Sequence, residues 1–221
     1  MRRFLYATIM VVLVASVAAA QDFPRVEVFG GYDLLKLGGS DINDLANSFG
    51  ENAGVTPSTS KLLKKGFDAS IAFNVNNYFG IEANFLYNKG VLAKASGTAE
   101  VGEYDAKLNV TDFAFMAGPR LTYRKNEKVT PFAHALFGVD HAKSDPSLTI
   151  NGTDYSSEVS SVFKNSDSGF GMVIGGGIDV NVNKTFGVRL IQADYFMGRH
   201  QNFTLNNVNL AFGVVLHLGG K

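Results

Sequence analysis

Apolar and polar residues alternate with a period of two along most of the chain. In the segment 206–218, for example, Val208 and Leu210 alternate with Asn209 and Ala211. Successive side chains of a β-strand point to opposite faces, so each such segment has one apolar face and one polar or small face. The pattern predicts eight strands, at residues 25–36, 66–76, 79–88, 107–123, 130–140, 168–180, 186–197 and 206–218.

The connections between these strands alternate in length. Short links lie near residues 76–78, 124–129 and 181–185, and long polar links lie at 37–65, 89–106, 141–167 and 198–205. Short turns at one end and long loops at the other are typical of an antiparallel up-and-down transmembrane β-barrel. The strands are long enough, since about 9–11 residues cross a bilayer at a tilt. The sheet is expected to close, because an open edge would leave backbone groups unpaired in hydrocarbon.

The N-terminus has the pattern of a secretory signal peptide. A basic pair precedes an apolar run at residues 4–17, and three alanines at residues 18–20 offer a cleavage site. The apolar run is too short and too weakly flanked to span a membrane as a helix. We therefore expect a signal peptide at residues 1–20 and a barrel domain at residues 21–221.

Composition limits the partners and cofactors. The chain has 24 Gly, 18 Phe, 8 Tyr and no Cys, which suits a β-rich protein without disulfides. Without the basic pair of the signal peptide, 18 basic and 20 acidic residues give a net charge of −2. The sequence has no basic patch to neutralise phosphates, so nucleic acid is not an expected partner. No motif calls for a cofactor.

Charged and polar residues of the strands mostly take the positions opposite the apolar face. The interior of an eight-stranded barrel is only wide enough to be filled by side chains. Unpaired buried charges are costly, so we expect these groups to pair with one another in a lumenal network. Arg189 has the opposite parity and is expected near a turn on the lipid-facing side. The candidate members of the network are Glu82, Asn84, Asp112, Arg120, His134, Asp179, Gln192, Asp194, Asn209 and His217.

Aromatic residues gather near the predicted strand ends, as they do in the interfacial girdles of membrane barrels. This placement favours lipid rather than water around the barrel. A soluble lipocalin-like barrel, with its apolar face inside, is the alternative at the level of the fold. The candidate interfacial residues are Tyr78, Phe79, Tyr87, Tyr123, Phe132, Phe186 and Tyr195.

The glycine-rich segment V-I-G-G-G-I at residues 173–178 has two interpretations. Gly175 and Gly177 match the start of a dinucleotide-binding G-x-G-x-x-G sequence, but Val180 takes the third glycine position and no helix pattern follows. Glycines in a barrel strand instead relieve crowding in a narrow lumen. The sequence therefore predicts a strand here and no bound cofactor.

The four histidines do not form a motif for a metal or catalytic site. No H-x-H or H-x-x-x-H pair occurs, and no cysteine ligand is present. His141 and His200 lie in or beside the long loops, where a serine and an aspartate would complete a nucleophilic triad. A lipid A-modifying barrel enzyme therefore stays open as an alternative, although the chain lacks a His-Tyr-Ser-Asn run.

Two strand-turn-strand regions carry a resemblance to a known family. They are F-M-A-G-P-R-L-T-Y (115–123) with T-P-F-A-H-A-L-F-G (130–138), and G-G-G-I-D-V (175–180) with R-L-I-Q-A-D-Y (189–195). Over residues 24–218 the chain resembles the small eight-stranded bacterial outer-membrane β-barrels, such as the OmpA transmembrane domain. The resemblance implies a location in the cell outer membrane.

The expected orientation and role follow from this topology. An even strand number puts both mature termini on one side, which is the periplasm for an exported chain, and the long loops then lie outside the cell. Exposed loops on a rigid scaffold are natural binding sites. We expect a non-enzymatic structural or adhesin-like role, in which loops 37–65 and 141–167 bind an extracellular ligand or surface and the barrel contacts outer-membrane lipid. A small narrow porin stays open as an alternative.

Overall fold

The chain folds into a β-barrel in the computed structural model, which describes residues 23–38, 63–99, 102–163, 165–200 and 204–219. The strands are β1 (Val26–Gly38), β2 (Leu63–Asn74), β3 (Phe79–Ala99), β4 (Gly102–Thr122), β5 (Val129–Ile150), β6 (Thr153–Asp154), β7 (Asn165–Asn181), β8 (Phe186–Arg199) and β9 (Thr204–Leu218). The helix α1 (Ser156–Phe163) lies between β6 and β7. The two-residue strand β6 pairs with the end of β5, and the other eight strands form the wall of the barrel.

The wall is closed and antiparallel throughout. Its strand order is β4-β3-β2-β1-β9-β8-β7-β5, and a pairing between β4 and β5 joins the two ends of this order. Val26 of β1 accordingly pairs with Phe73 on one side and with Leu218 on the other. The prediction of an eight-stranded antiparallel up-and-down barrel is confirmed.

The first and last strands meet at the end of the barrel that carries the short turns. The backbone N–H of Arg25 donates to the carbonyl of Leu218 at 2.9 Å. We call this end the turn end and the opposite one the loop end. The predicted signal peptide at residues 1–20 and most of the predicted loop 37–65 lie outside the described residues.

The outer surface carries the apolar face that the alternation predicts. Phe115 is 61% exposed and Leu121 is 58% exposed. The ring of Phe85 contacts the rings of Phe67 and Phe115 on the two neighbouring strands, with centroid distances of 5.5 and 4.6 Å. An apolar exterior around a charged interior is the reverse of a soluble lipocalin-like barrel. The acidic residues inside the wall are Glu27, Asp33, Asp68, Glu82, Asp112, Asp140, Asp179 and Asp194, each at most 5% exposed.

The three short turns share one local structure. Asn76, Asn126 and Asn183 each accept hydrogen bonds at Oδ1 from the N–H groups two and three residues later, at 2.8–3.2 Å. Two of the turns repeat the sequence N-V-N-x-x-F-G, at residues 74–80 and 181–187. Asparagine favours such turns because its short side chain reaches the following backbone. The repeat therefore sets the tight connections at the turn end.

At the loop end, β3, β4 and β5 continue beyond the predicted limits. The alternation predicted that β3 ends at residue 88, that β4 starts at 107 and that β5 ends at 140, but these strands reach Ala99, Gly102 and Ile150. The predicted links 89–106 and 141–167 are thus largely strand and helix. Beyond the apolar belt both faces of a strand meet water, so backbone pairing continues without an alternating pattern. We call residues 90–99, 102–111 and 142–154 the outer sheet.

Helix α1 covers part of the outer sheet. The side chain of Asp154 accepts a hydrogen bond from the N–H of Ser156 at 2.8 Å, at the start of the helix. Hydrogen bonds from the hydroxyl and the N–H of Ser156 lower the pKa of Asp154. Ser160 donates to the carbonyl of Pro146 at 3.1 Å, which fixes the helix on β5. Among the described residues, no helix is both long enough and apolar enough to span a membrane.

A β-bulge in β8 turns Arg189 into the barrel. The register of β8 with β9 shifts between Arg189 and Gln192, so Leu190 and Ile191 both face outward, at 60% and 48% exposure. Arg189 lies on the inner face and is 1% exposed. The expectation that Arg189 lies on the lipid-facing side is wrong, because strict alternation does not hold across a bulge.

Candidate functional site

A stack of two arginines and two phenylalanines fills the lumen near the turn end. The guanidinium carbon of Arg189 lies 4.0 Å from the ring centre of Phe29 and 4.2 Å from that of Phe132. The guanidinium carbon of Arg120 lies 4.0 Å from the ring centre of Phe132. Cation–π contacts are strongest where water is excluded, and all four side chains are buried. The stack therefore closes the lumen with charged and aromatic groups together.

The prediction that Phe132 is an interfacial aromatic residue is wrong. Phe132 shares the parity of His134 on β5 and faces the lumen, where it is 6% exposed. Nearness to a short turn suggested the interface, but parity decides the face of the sheet on which a side chain lies. The other six candidates take outward positions. Tyr78, Phe79, Tyr123 and Tyr195 are exposed, and Tyr87 and Phe186 are half-buried.

Carboxylates surround the two arginines. Asp179 accepts hydrogen bonds from Nε and Nη2 of Arg189 at 2.8 and 3.1 Å, and from Nη2 of Arg120 at 3.3 Å. Glu27 lies 3.0 Å from Arg120 and 2.6 Å from Arg124. Removing these charges from water is costly, and the mutual pairing offsets that cost.

His134 joins two carboxylates across the lumen. Its Nδ1 lies 3.1 Å from Glu82 Oε2, and its Nε2 lies 3.0 Å from Asp194 Oδ1. The amide of Gln192 donates to Asp194 at 2.6 Å and to Asp68 at 3.0 Å. These contacts link side chains of β2, β3, β5 and β8, so the network connects strands that are not neighbours in the wall.

A second polar cluster lies inside the loop end. Lys64 forms a buried ion pair with Asp112. Nε2 of His200 lies 3.1 Å from Asp140, and Nδ1 of His200 lies 3.4 Å from Asp167. Sequence reasoning missed Lys64 and His200 because both lie just outside the predicted strand limits, where no face was assigned to them.

An apolar layer crosses the lumen between the two polar regions. On β5, Leu136 lies between His134 and Asp140. On the side of β1 and β9, the buried Leu35 belongs to this layer and pairs with the buried Asn209. The lumen is therefore filled at this level. The layer includes Leu35 in β1, Leu86 in β3, Met116 in β4, Leu136 in β5, Val173 in β7 and Phe196 in β8, each at most 3% exposed.

The candidates for the lumenal network fall into three places in the structure. Asp112 belongs to the cluster at the loop end, Asn209 is fully buried beside the apolar layer, and His217 is half-buried at the turn end. Alternation did not assign Arg189 or Phe29 to this network. For Arg189, the reason is the β-bulge in β8. Seven candidates lie in the network near the turn end: Glu82, Asn84, Arg120, His134, Asp179, Gln192 and Asp194.

The glycines of the segment 173–178 lie where β7 approaches its two neighbours. A Cβ on Gly175 would overlap the carboxylate of Asp194, and a Cβ on Gly177 would lie 2.9 Å from the ring of Phe132. A dinucleotide-binding sequence needs a helix after its glycines, but here a tight turn and then β8 follow. The glycines make room for the lumenal network.

A cavity of about 650 Å³ opens at the turn end. Its inner lining includes Glu27, Asp179 and His217, and lysines of two of the turns stand around its mouth. The cavity ends at the carboxylates that hold Arg120 and Arg189. The arginine stack thus separates this cavity from the rest of the lumen.

At the loop end, the serine and the carboxylates that a nucleophilic triad would need contact different histidines. His141 faces outward, and its Nδ1 lies 2.7 Å from the hydroxyl of Ser168. His200 faces inward and contacts Asp140 and Asp167. A triad needs the serine and the carboxylate on the same imidazole. The part of the chain that the structure describes also contains no group of three or more His, Cys, Asp or Glu residues that could hold a metal ion.

Comparisons with known proteins agree with this architecture. The sequence profile of the family described as "Outer membrane protein beta-barrel domain" matches residues 5–217. A comparison with curated protein sequences gives no significant match.

Several solved structures have a similar fold. One is Ail, the attachment invasion locus protein of Yersinia pestis, which is 18% identical over 87% of this chain and 99% of that chain, with a TM-score of 0.47. Neisserial surface protein A is 14% identical over 90% and 100% of the two chains, with a TM-score of 0.47. OprG from Pseudomonas aeruginosa is 10% identical over 90% and 97%, with a TM-score of 0.44. Ail has also been crystallised with the heparin analogue sucrose octasulfate.

Proposed function

Because the chain belongs to the outer membrane protein beta-barrel domain family, we propose that it is a non-enzymatic protein whose outer sheet makes contacts outside the cell. The barrel lies in the outer membrane. The turn end, where the first and last strands meet, faces the periplasm in this proposal, and the loop end faces outward. Short periplasmic turns and longer external segments are the rule in such barrels.

The length of the outer sheet is the observation that carries the proposal. β4 starts at Gly102, and the first aromatic residue of its outer face is Phe113. At about 3.3 Å per residue, this stretch is roughly 35 Å of extended strand. Even at a tilt of about 45°, it rises about 25 Å above the aromatic belt. Crossing a bilayer does not need this length, and a projecting, paired sheet suits contact with another surface.

A cleft on the outer sheet is the proposed contact site. It has a volume of about 400 Å³. Glu103 and Asp105 lie on one face of β4 and supply carboxylates that accept hydrogen bonds, and Tyr104 lies on the other face and supplies an aromatic ring. These groups suit a neutral ligand rich in hydroxyl groups, such as a carbohydrate, better than an anion. The cleft is lined by Ser96, Gly97, Thr98, Glu103, Tyr104, Asp105, Thr149 and Gly152.

The filled lumen favours this role over that of a narrow porin. The apolar layer around Leu136 and Phe196 leaves these side chains at most 2% exposed. The arginine stack closes the lumen again below that layer. An ion that entered from either end would have to displace buried side chains and break buried ion pairs, which is unfavourable.

The arrangement of histidines favours a binding role over a lipid A-modifying enzyme. The outward pair His141–Ser168 supplies a hydroxyl and an imidazole, but the carboxylates Asp140 and Asp167 contact His200 instead. Mass spectrometry of lipid A from cells with and without the protein tests this point. We expect the same masses in both, and a new acylation pattern that is lost in S168A would contradict the non-enzymatic role.

Retention of cells on immobilised glycans tests the contact function. We expect cells that express the protein to bind at least one neutral glycan of a panel of neutral, sialylated and sulfated glycans. The double variant E103Q/Y104A, at equal surface level, should bind at least fivefold less, because it removes one carboxylate and one ring from the two faces of β4 that border the cleft.

The control is K125Q/K128Q, which changes two exposed lysines of a turn at the opposite end of the barrel. It should bind like the unaltered protein. Retention no greater than that of vector-only cells on every glycan, or retention that E103Q/Y104A leaves unchanged, would contradict a contact site in the cleft.

A further inference from the structure

Three lysines cluster on the outer surface of the barrel, at the loop end of adjacent strands. Lys36 of β1, Lys65 of β2 and Lys89 of β3 are all exposed. Lys65 and Lys89 are directly opposite each other in the β2–β3 pairing. Lys36 pairs with Leu63, and Lys65 pairs with Leu34, so Lys36 and Lys65 are diagonal neighbours. Opposite residues have Cβ atoms about 5 Å apart, and diagonal ones about 7–8 Å.

The cluster lies directly above the apolar belt. Two residues closer to the turn end, Phe67 pairs with Tyr87, and their ring centres are 6.3 Å apart on the outer surface. Aromatic rings of this kind mark the boundary between hydrocarbon and headgroups. The three ammonium groups are therefore at the height of the lipid phosphates of the outer leaflet.

The acidic residues of the neighbouring strands cannot neutralise this cluster. In the described parts of β1, β2 and β3, the acidic residues are Glu27, Asp33, Asp68 and Glu82, and all four are buried inside the barrel. The described part of β9 contains no Asp or Glu at all. The outer face of these four strands is therefore cationic at the loop end, within the residues that the structure describes.

In a second pair of directly opposed lysines, an aspartate neutralises the two positive charges. Lys94 and Lys107 are also directly opposite each other, on β3 and β4 of the outer sheet. Asp105 lies 3.5 Å from Lys94 and 2.8 Å from Lys107, and so neutralises the pair. Like charges directly opposite each other destabilise a sheet. At Lys65 and Lys89 the structure gives no carboxylate within ion-pair distance among the described residues, so the cluster is open to an anion from outside them.

We propose that Lys36, Lys65 and Lys89 form a binding site for the phosphate groups of lipid A in the outer leaflet. A headgroup with two phosphates can contact three neighbouring cations at once, while its acyl chains lie along Phe67 and the other outward apolar side chains. This site is separate from the cleft of the outer sheet. It rests on the proposed outward orientation of the loop end, but not on the contact function proposed for the cleft.

Binding of purified lipid A to the folded protein in detergent tests the site. Native mass spectrometry counts the bound lipid for the unaltered protein and for K36Q/K65Q/K89Q. We expect binding of bisphosphorylated lipid A to weaken at least tenfold in the triple variant, and to weaken as salt concentration rises. The matched control is K125Q/K128Q/K184Q, which removes three exposed lysines at the turn end and should bind within twofold of the unaltered protein.

Three further samples distinguish the source of the phosphate. Dephosphorylated lipid A should bind weakly to the unaltered protein. Its affinity should be similar to that of bisphosphorylated lipid A for the triple variant. Phosphatidylglycerol should bind more weakly than bisphosphorylated lipid A, and 10 mM inorganic phosphate should not displace bound lipid A. Equal binding of the dephosphorylated lipid or of phosphatidylglycerol, full displacement by phosphate, or no loss in the triple variant would overturn the proposal. A heat-dependent shift in gel mobility verifies that each variant is folded.

Discussion

Arg189 occupies the centre of the network near the turn end. It lies between the rings of Phe29 and Phe132 and donates two hydrogen bonds to Asp179. R189M keeps much of the side-chain volume but leaves Asp179 with Arg120 as its remaining arginine partner. Removing one member of a buried ion pair costs about 3–5 kcal/mol. We expect R189M to lower the free energy of unfolding by about 3 kcal/mol, measured by urea unfolding in lipid vesicles.

A double variant separates the ion pair from packing alone. D179N/R189M removes the carboxylate that R189M leaves underneutralised, and it should recover part of the lost stability. If the double variant is as unstable as the sum of the two single variants, the contribution of the Arg189–Asp179 pair is contradicted.

Gly175 of β7 and Gly30 of β1 give a matched pair of glycine substitutions in the wall. A Cβ on Gly175 would overlap Asp194 and the carbonyl of Ala193, whereas a Cβ on Gly30 has nothing within 4 Å. G175A should lower the free energy of unfolding by about 1–3 kcal/mol, since overpacking a filled interior has this cost. G30A should change it by less than about 0.5 kcal/mol, as surface changes usually do. Equal effects in urea unfolding would contradict the crowded lumen at Gly175.

At the scale of whole strands, alternation was informative where one face meets the apolar surroundings and the other meets the lumen. It placed the faces of β2, β3 and β9 correctly over the barrel, as the exposed Phe67, Ile81 and Phe212 show. It carried no signal in the outer sheet, where the two faces have similar surroundings. It also failed at the bulge beside Arg189, because register shifts depend on the pairing with neighbouring strands.

The side-chain partners within the lumen were less predictable than the faces. Parity brings His134 and Glu82 to the interior, but their contact depends on the relative register of β3, β4 and β5, which a single sequence does not specify. The contacts of Phe132 were also not predictable from the sequence. Its position near a turn suggested a membrane interface, whereas its contacts with two arginines come from the closure of the barrel.

The outer sheet contains an ion pair whose effect depends on pH. A hydrogen bond from Lys107 lowers the pKa of the exposed Asp105. Because the pKa is lower in the folded state, the contribution of Asp105 to stability is complete above its unfolded value of about 3.9 and is lost as pH falls through the folded value. NMR titration of the Asp105 carboxyl should therefore give a midpoint below about 3.9.

K107Q is the control for this titration. It removes the donor that lies 2.8 Å from Asp105 and should move the midpoint up, toward the value of an unpaired aspartate. A midpoint at or above about 3.9 in the unaltered protein would contradict the pairing.

The whole molecule is a filled barrel with a projecting sheet. Buried charges hold the strands together from inside near the turn end, and the apolar layer closes the lumen above them. The outer sheet and helix α1 extend beyond the loop end, away from the membrane. The interior therefore provides the stability of the barrel, and the outer sheet provides the contact surface. Substitution of Tyr104 in the cleft should leave the free energy of unfolding of the barrel nearly unchanged.

The conductance of single protein molecules in planar bilayers tests the filled lumen most directly. Protein is folded in detergent, verified by its heat-dependent mobility and added to a bilayer in 1 M KCl, with a detergent blank as the control. The account predicts that insertion occurs without unitary current steps above the blank, because the arginine stack and the apolar layer block the path of ions. Reproducible unitary steps from the folded protein would contradict the filled lumen and support a narrow porin instead.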